Sequence, residues 1–498
     1  MAQGLPPRLG GAFPAERTAR AAFAMAGAVD SGSEGEEETS PSQSMNSDPS
    51  DENMKGEAQQ RFSKSDVESF ERAGEGRHVI RSFFLLSLFY MWPYQTFCQT
   101  QNFLVEEFPD HAESAGFIMM IASTLPMFVT HSFLSLTGLS RKMSYVTKTI
   151  VPSVLVLFVA VYLLVMFYMS EDSNFLLTSL YTAALVGSVA ESFVEPAVYD
   201  MAGLFPSALT SQMVQAGNGA CGLIVSLVQI AARLLSNGLK PIGKAQLEKL
   251  TQAFITLMGV LCAALILVTL SIRRTTFYGI YVEQGSGGKS GEGATAQAKS
   301  KLALVKASCT AIKHVWPSFL AISITFWTSL TLWPVIPGRT CATPPDGKGT
   351  LQTWWFEIII LAFNLSDYIG RSFRGSLSWG ALNLSPKRQL FFAIVRAFIF
   401  LPLILTGSAP QMYDATIARW VVLVSIVALG LSNGWLSTVS FMRAPKALPP
   451  DTPNLIAEQA SSVLVIGLFL GISMGCFTAY ALGRTLVKDS LGVCFGSQ

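Results

Sequence analysis

The chain has 498 residues, of which 50% are hydrophobic and 14% charged, where a soluble domain carries roughly 25% charged residues. That balance, with 33 Phe, excludes an ordinary soluble enzyme and reads as a polytopic membrane protein. The net charge of +2 is spread over short loops between apolar runs, so no nucleic-acid partner is expected.

Residues 1–75 show no apolar periodicity. The first 25 are rich in Ala and Arg and weakly resemble a transit peptide, but they carry Gly and Pro and no clear cleavage signal. Residues 30–57 are Ser-rich and acidic, with Glu34 and the run Glu36–Glu38. With the missing periodicity, this composition predicts a disordered cytoplasmic tail over 1–75.

Eleven apolar runs follow, at 79–103, 115–138, 146–170, 174–199, 208–236, 252–273, 312–336, 353–374, 388–407, 417–441 and 456–483. Each is near the ~20 residues that span a bilayer as a helix. Barrel strands would alternate instead of running unbroken. The fold class expected is therefore an all-α polytopic membrane protein with eleven transmembrane helices. Loop charge orients it. Arg77 and Arg81, then Arg141, Lys142 and Lys148, Arg273 and Arg274, Lys387 and Arg388, and Arg443 and Lys446 share one side, the cytoplasmic one. Opposite lie Glu106, Glu107, Asp110, Glu113, Glu171 and Asp172. Lys240, Lys244 and Lys249 are the exception. The N-terminus is then cytoplasmic and the C-terminus extracellular or lumenal. Residues 274–305 contain GSGGKSGEGATAQAKSK, a flexible-linker composition. It divides the chain into a six-helix bundle over 79–273 and a five-helix bundle over 312–484, with a short tail at 485–498. A 6+5 division around a long loop suits a two-bundle carrier.

Several residues stand out within the runs. The first carries Trp92, Pro93, Tyr94 and Gln95. The fourth carries Glu191 and Glu195, four residues apart and so on one helical face. Two intramembrane carboxylates are costly unless protonated or paired. They read either as a structural salt bridge to Arg371 or another arginine, or as a proton-coupling or cation-attracting pair. Gly217, Gly219 and Gly222 in the fifth run permit close helix packing, as does Gly370 in the eighth. Arg233 and Arg396 sit towards helix ends, where they snorkel or join the bundles by salt bridges. Pro126, Pro334 and Pro402, like Pro93, are candidate kinks.

The eighth run, WWFEIIILAFNLSDYIGRSFRG, places Asn364, Asp367 and Arg371 on one face by spacings of three and four. A carboxylate and a guanidinium in hydrocarbon must face protein or a watery cavity. The bland reading is a self-neutralising structural pair. The sharper one is a recognition stripe that lines a pore or carrier. Asp367 would accept from sugar hydroxyls or a ring N–H, and Arg371 would donate to ring nitrogens or carbonyl oxygens.

Of the seven cysteines, Cys98, Cys221, Cys262 and Cys476 lie in apolar runs and read as buried thiols. Cys341 and Cys494 are free to pair, though nothing compels it. No CxxC, HExxH or HxxxD occurs, so no metal, cofactor or catalytic constellation is expected. The sequons at Asn364 and Asn383 fall in the membrane and on the cytoplasmic side.

Six segments in order resemble the equilibrative nucleoside transporter family. They are MWPYQTF in the first run, MAGLFPSALTSQMVQAGNGACG at the fourth-to-fifth turn, LTLWPVI in the seventh, FNLSDYIGRSF in the eighth, VRAFIFLPL in the ninth and LSNGWLSTVSFMRAPK in the tenth. The resemblance covers about 79–484 and implies a major-facilitator-like arrangement with no enzymatic activity. It implies a nucleoside substrate, purine or also nucleobase, moved by alternating access in a lipid bilayer, expected to be the plasma membrane. By register, Tyr94 and Gln95 stand where the family has Trp and Asn, Trp333 where it has Phe, and Glu195 where many members have Gln. Asp367, Arg371, Asn364, Tyr94, Gln95, Glu195 and Trp333 are thus candidate substrate contacts. Trp92, about 200° round the helix from Tyr94, is a further one. An organic-cation carrier of the same fold, drawn by Glu191 and Glu195, is the alternative, and a membrane-embedded protein without transport activity the more distant one. Oligomeric state is not legible.

Overall fold

The structure, a computed structural model, describes residues 64–108, 111–170, 172–238, 243–284, 301–338, 350–372, 384–408, 415–443, 448 and 454–485. The acidic tail, most of the glycine-rich connection, the C-terminal tail, Cys341, Cys494 and the Asn383 sequon lie outside the described residues.

The described chain is helical throughout. Besides short turns at Leu139–Lys142, Thr276–Tyr278 and Gly279–Gln284, the helices are α1 (Lys64–Arg72), α2 (Gly74–Tyr90), α3 (Trp92–Gln99), α4 (Gln101–Glu107), α5 (Ala112–Thr137), α6 (Tyr145–Met169), α7 (Ser173–Leu204), α8 (Ala208–Asn237) and α9 (Lys244–Arg273), then α10 (Lys301–Leu332), α11 (Val335–Gly338), α12 (Thr350–Ser372), α13 (Pro386–Ser408), α14 (Ala415–Arg443) and α15 (Asn454–Thr485). Side-chain caps start three of them. Ser144 Oγ accepts from Thr147 N (3.1 Å), Asp172 Oδ1 from Asn174 N (2.9 Å) and Ser207 Oγ from Leu209 N (3.1 Å). Each satisfies a backbone donor that the first turn leaves open. Gly138 (φ 69°) and Gly238 (φ 61°) follow the ends of α5 and α8, in a region open to glycine without a Cβ penalty.

Among the described residues, nine helices are long and apolar enough to cross a membrane. The other two expected runs are helical as well, but differ in form. The first is divided into α2, α3 and α4 at Met91 and Thr100. Pro93 explains the first break, since it has no N–H to continue the ladder. The eighth run is α12, whose described length carries Glu357, Asp367 and Arg371. Helix α10 stops at Leu332 and the chain resumes helix at Val335, so Trp333 and Pro334 lie between helices.

Helices α2 to α9 pack chiefly on one another, as do α10 to α15. In the first group α6 lies against α9 and α7, and α2 against α8. In the second α10 lies against α15 and α13, and α12 against α14. Two main seams join the groups, α8 on α12 and α5 on α15. Phe158, Leu267, Phe398 and Trp420 point outward, each more than 60% exposed. That apolar exterior suits lipid and not water.

The tightest crossing is α12 on α14. A Cβ on Gly434 would stand 2.1 Å from Asp367 O, and one on Gly370 2.3 Å from Leu431 O. Neither helix can retreat without unseating Asp367. Gly434→Val is therefore expected to destabilise the protein by about 3 kcal/mol, the upper range for overpacking. Thermal unfolding in detergent checks this against Gly203→Val, where an added Cβ meets nothing within 4 Å. Equal melting of the two variants would contradict it.

On the side that carries α1, the two ends of the first bundle are clasped together. Helix α1 lies inside the stretch expected as a disordered tail, but its Phe70 is fully buried against Phe205 (ring centroids 5.7 Å) and Phe277 (5.0 Å), which holds it in place. Ser207 Oγ donates to Glu71 Oε1 (2.5 Å). The Glu75 carboxylate accepts from both the backbone N–H and the hydroxyl of Thr276, just past the end of α9.

Candidate functional site

The α8–α12 seam holds a polar column. At its centre Arg371 Nε donates to Asp367 Oδ2 at 2.7 Å, and Arg371 Nη1 donates across the seam to Gln215 Oε1 at 2.5 Å. Asn433 Nδ2 on α14 donates to the other Asp367 oxygen at 2.7 Å. Asp367 is 6% and Arg371 7% exposed. Ion pairs this deeply buried need every available hydrogen bond to offset desolvation. The two bonds from Arg371 leave guanidinium N–H groups over for a further acceptor. Gly219 makes the approach possible: a Cβ there would lie 2.9 Å from Arg371 Cδ.

One turn along α12, Asn364 Nδ2 donates to Gly222 O (3.1 Å) and Ser226 Oγ (2.8 Å) on α8. A Cβ on Gly222 would come within 2.9 Å of Asn364 Oδ1 and 3.3 Å of Gln95 Nε2. Gly222 therefore brings Gln95 of α3 and Asn364 of α12 to one point. Gly217 has a different duty, since its missing Cβ admits Ser87 Oγ and Phe84 O of α2.

Helix α7 closes the first-bundle side. Tyr199 OH accepts from Gln215 Nε2 (2.7 Å) and Asn218 Nδ2 (3.1 Å), and its ring stacks on Phe441 of α14 at 4.8 Å. Glu195, one turn away, faces Tyr90 and Arg371, and Glu191 lies behind it. Among the described residues, no arginine comes within ion-pair distance of either glutamate; Arg371 is paired with Asp367 and Arg233 with Glu357.

Further along the seam Arg233 Nη1 donates to Glu357 Oε1 at 2.5 Å, and the guanidinium lies over the Trp354 ring at 4.2 Å. Both partners are about 95% buried. Fourteen residues separate Glu357 from Arg371, about 21 Å along α12 at ~1.5 Å per residue. Arg233 thus joins the bundles, whereas Arg396 is buried within the second and donates to Ser432 Oγ (2.7 Å), Ser329 Oγ (2.5 Å) and the Thr325 and Leu429 carbonyls.

The aromatic candidates separate. Trp333 stacks on Phe363 of α12 at 4.4 Å and packs around a gap too tight for a water molecule with Phe117, Met120, Leu330 and Cys476. Tyr94 lies beside Cys98 and Cys476 on the same side. Trp92 is 2% exposed and packs in a different apolar cluster, with Phe97 and Leu88. The geometry therefore joins Asp367, Arg371, Asn364, Gln95 and Glu195 along one column, sets Tyr94 and Trp333 in the adjacent apolar packing, and puts Trp92 elsewhere. Among the described residues no group of three or more His, Cys, Asp or Glu is placed to hold a metal ion.

Sequence reasoning did not single out Gln215, Tyr199, Asn218, Asn433 or Glu357. Glu357 carried a readable signal, since 357, 364 and 371 recur every seven residues on the same face of α12.

The nucleoside transporter family matches residues 180–483. The chain is 26% identical over 169 residues to equilibrative nucleoside transporter 4 of Danio rerio, covering 34% of this chain and 29% of that protein. It is 24% identical over 321 residues to equilibrative nucleoside transporter 1 of Homo sapiens, covering 59% and 66%, and 21% over 397 residues to that of Rattus norvegicus, covering 74% and 82%. The match thus spans under two thirds of the first two relatives' own lengths. In fold, the chain is similar to a D-xylose–proton symporter (TM-score 0.53, 12% identity, 82% of this chain and 89% of that one). It is also similar to the major facilitator superfamily proton:xylose symporter XylE with a bound glucose analogue (TM-score 0.52, 12% identity, 84% and 90%).

Proposed function

The chain belongs to the nucleoside transporter family, and on that footing we propose that it carries nucleosides, purine nucleosides foremost, through a lipid bilayer by alternating access of its two bundles. One observation carries the reading. The Asp367–Arg371 pair reaches across the seam to Gln215, so the groups suited to a sugar or base also tie the two moving bodies together. A solute that competes for those bonds couples its own binding to the opening of the seam. Asp367, Arg371, Asn364, Gln95 and Glu195 supply the polar contacts. Tyr94 and Trp333 supply apolar surface for the base, and sites of this sort combine apolar walls with a few placed polar groups. Eleven spans, a cytoplasmic N-terminus and central connection, and a plasma-membrane location complete the reading. No bond in the solute is made or broken.

The test is uptake of radiolabelled adenosine into proteoliposomes containing the full chain. Saturable uptake by the wild type, reduced at least tenfold in Arg371→Lys, is expected. Lysine keeps the charge, but its point-like head cannot hold Asp367 and Gln215 in the planar fork that arginine provides. Absence of uptake by folded wild-type protein contradicts the transport reading. Unchanged uptake by the lysine variant contradicts the site. Comparing pH 5.5 with pH 7.5 decides whether a proton travels with the solute.

A further inference from the structure

The first-bundle face of the column holds acceptors that no donor reaches. Asn218 is 8% exposed, and with its Nδ2 committed to Tyr199 its Oδ1 has no hydrogen-bond partner. Gln95, 6% exposed, leaves its Oε1 equally unpartnered. Gln95 meets α8 at Gly222, one helical turn from Asn218, so the two amides face the same stretch of the seam. Glu195 stands on the facing side of α7 at 4% exposure, and the Tyr90 hydroxyl lies beside both Glu195 and Asn218, a single O–H donor that can serve only one of them. Across the seam, Arg371 is already shared between Asp367 and Gln215.

Buried polar atoms are nearly always hydrogen-bonded, and a buried acceptor left alone costs its full desolvation penalty. Two unpartnered amide oxygens, beside a carboxyl group that shares one tyrosine hydroxyl with them, call for donors from the solute. We propose that Asn218, Glu195 and Gln95 make the carrier selective for nucleosides whose base bears an exocyclic amino group over those with a carbonyl or hydrogen in its place. The inference rests on the nucleoside-carrier reading and adds which nucleosides are preferred and which residues choose them. A carbonyl oxygen presented to this face would set acceptor against acceptor. A site built to bond a donor rejects the analogue that lacks it far more strongly than an apolar pocket rejects a change of shape.

Inosine and purine riboside test this, because they replace the 6-amino group of adenosine by oxygen and by hydrogen. Each is used to compete with radiolabelled adenosine, and separately with radiolabelled uridine, for entry into proteoliposomes containing the full chain. For the wild type, unlabelled adenosine should inhibit at concentrations at least tenfold lower than inosine or purine riboside. In Glu195→Gln, whose amide can turn an N–H towards a carbonyl, the adenosine-to-inosine ratio should fall below threefold. Asn218→Asp keeps an acceptor at that position and should retain the ratio, whereas Asn218→Leu should lose it. Equal inhibition by adenosine and inosine in the wild type overturns the inference and leaves the carrier reading standing. So does a ratio preserved in both Glu195→Gln and Asn218→Leu. Failure of the folded wild type to take up either labelled nucleoside overturns the carrier reading itself, and the inference with it. Should one variant fail to fold, the other still decides the ratio.

Discussion

Asp367→Ala is expected to lower adenosine uptake by 100-fold or more and to destabilise the protein by about 3–5 kcal/mol, the usual cost of leaving a buried charge without its partner. The loss reaches beyond one carboxylate. Arg371 would keep only Gln215, and Asn433 Nδ2 would lose its acceptor on α12. Stability and function separate in the double variant Asp367→Ala/Arg371→Leu. Removal of both charges should return much of the lost thermal stability, since an apolar replacement of a buried pair is often neutral. Uptake should not return with it. A double variant that melts like the wild type and transports adenosine would show that the pair is structural, the bland reading of this stripe.

The second large effect is expected at Glu357. Glu357→Ala removes the acceptor from Arg233, which is buried and joins α8 to α12 at the end of the seam away from Arg371. The orientation read from loop charge assigns that end to the exterior. With the tie gone, the seam should part there more often. A Gln229→Cys reporter, placed on a buried α8 position one turn from Arg233, should react with an externally added impermeant maleimide at least tenfold faster in Glu357→Ala than with Glu357 intact. The measurement is made in a background whose own cysteines are replaced by serine. The exchange Arg233→Glu/Glu357→Arg should restore slow labelling, because the pair is re-formed with its ends reversed. Labelling that stays slow in Glu357→Ala would show that the ion pair does not hold the seam.

Why some of this was legible in the sequence follows from the solvent. Charges in an apolar run are conspicuous, so Asp367 and Arg371 announced themselves, and their spacing fixed their shared face. Helix positions came out within a few residues for most runs, because bilayer thickness imposes their length. The partners were harder to see. Gln215, Asn218, Tyr199 and Asn433 are uncharged, and such residues are frequent in membrane helices; what each meets depends on how α7, α8, α12 and α14 come together. Gly219 and Gly222 suited ordinary packing by their spacing, yet it is Arg371 and Asn364 that occupy the room they leave. The interruption at Met91 could be anticipated from Pro93, but the second one, at Thr100, has no sequence signature that we recognise.

The clasp of Phe70, Glu71 and Glu75 onto Phe205, Ser207, Phe277 and Thr276 bears on how the halves can move. It fastens the beginning of the first bundle to its end, and both to the turn between α7 and α8. A bundle closed on itself in this way resists shear between its own helices. Displacement then falls on the α8–α12 and α5–α15 seams, whose ties join one bundle to the other. The same closure sets the point at which the connecting segment leaves the first bundle, close to where the N-terminal segment enters it. The start and the end of the first bundle thus share a single anchorage.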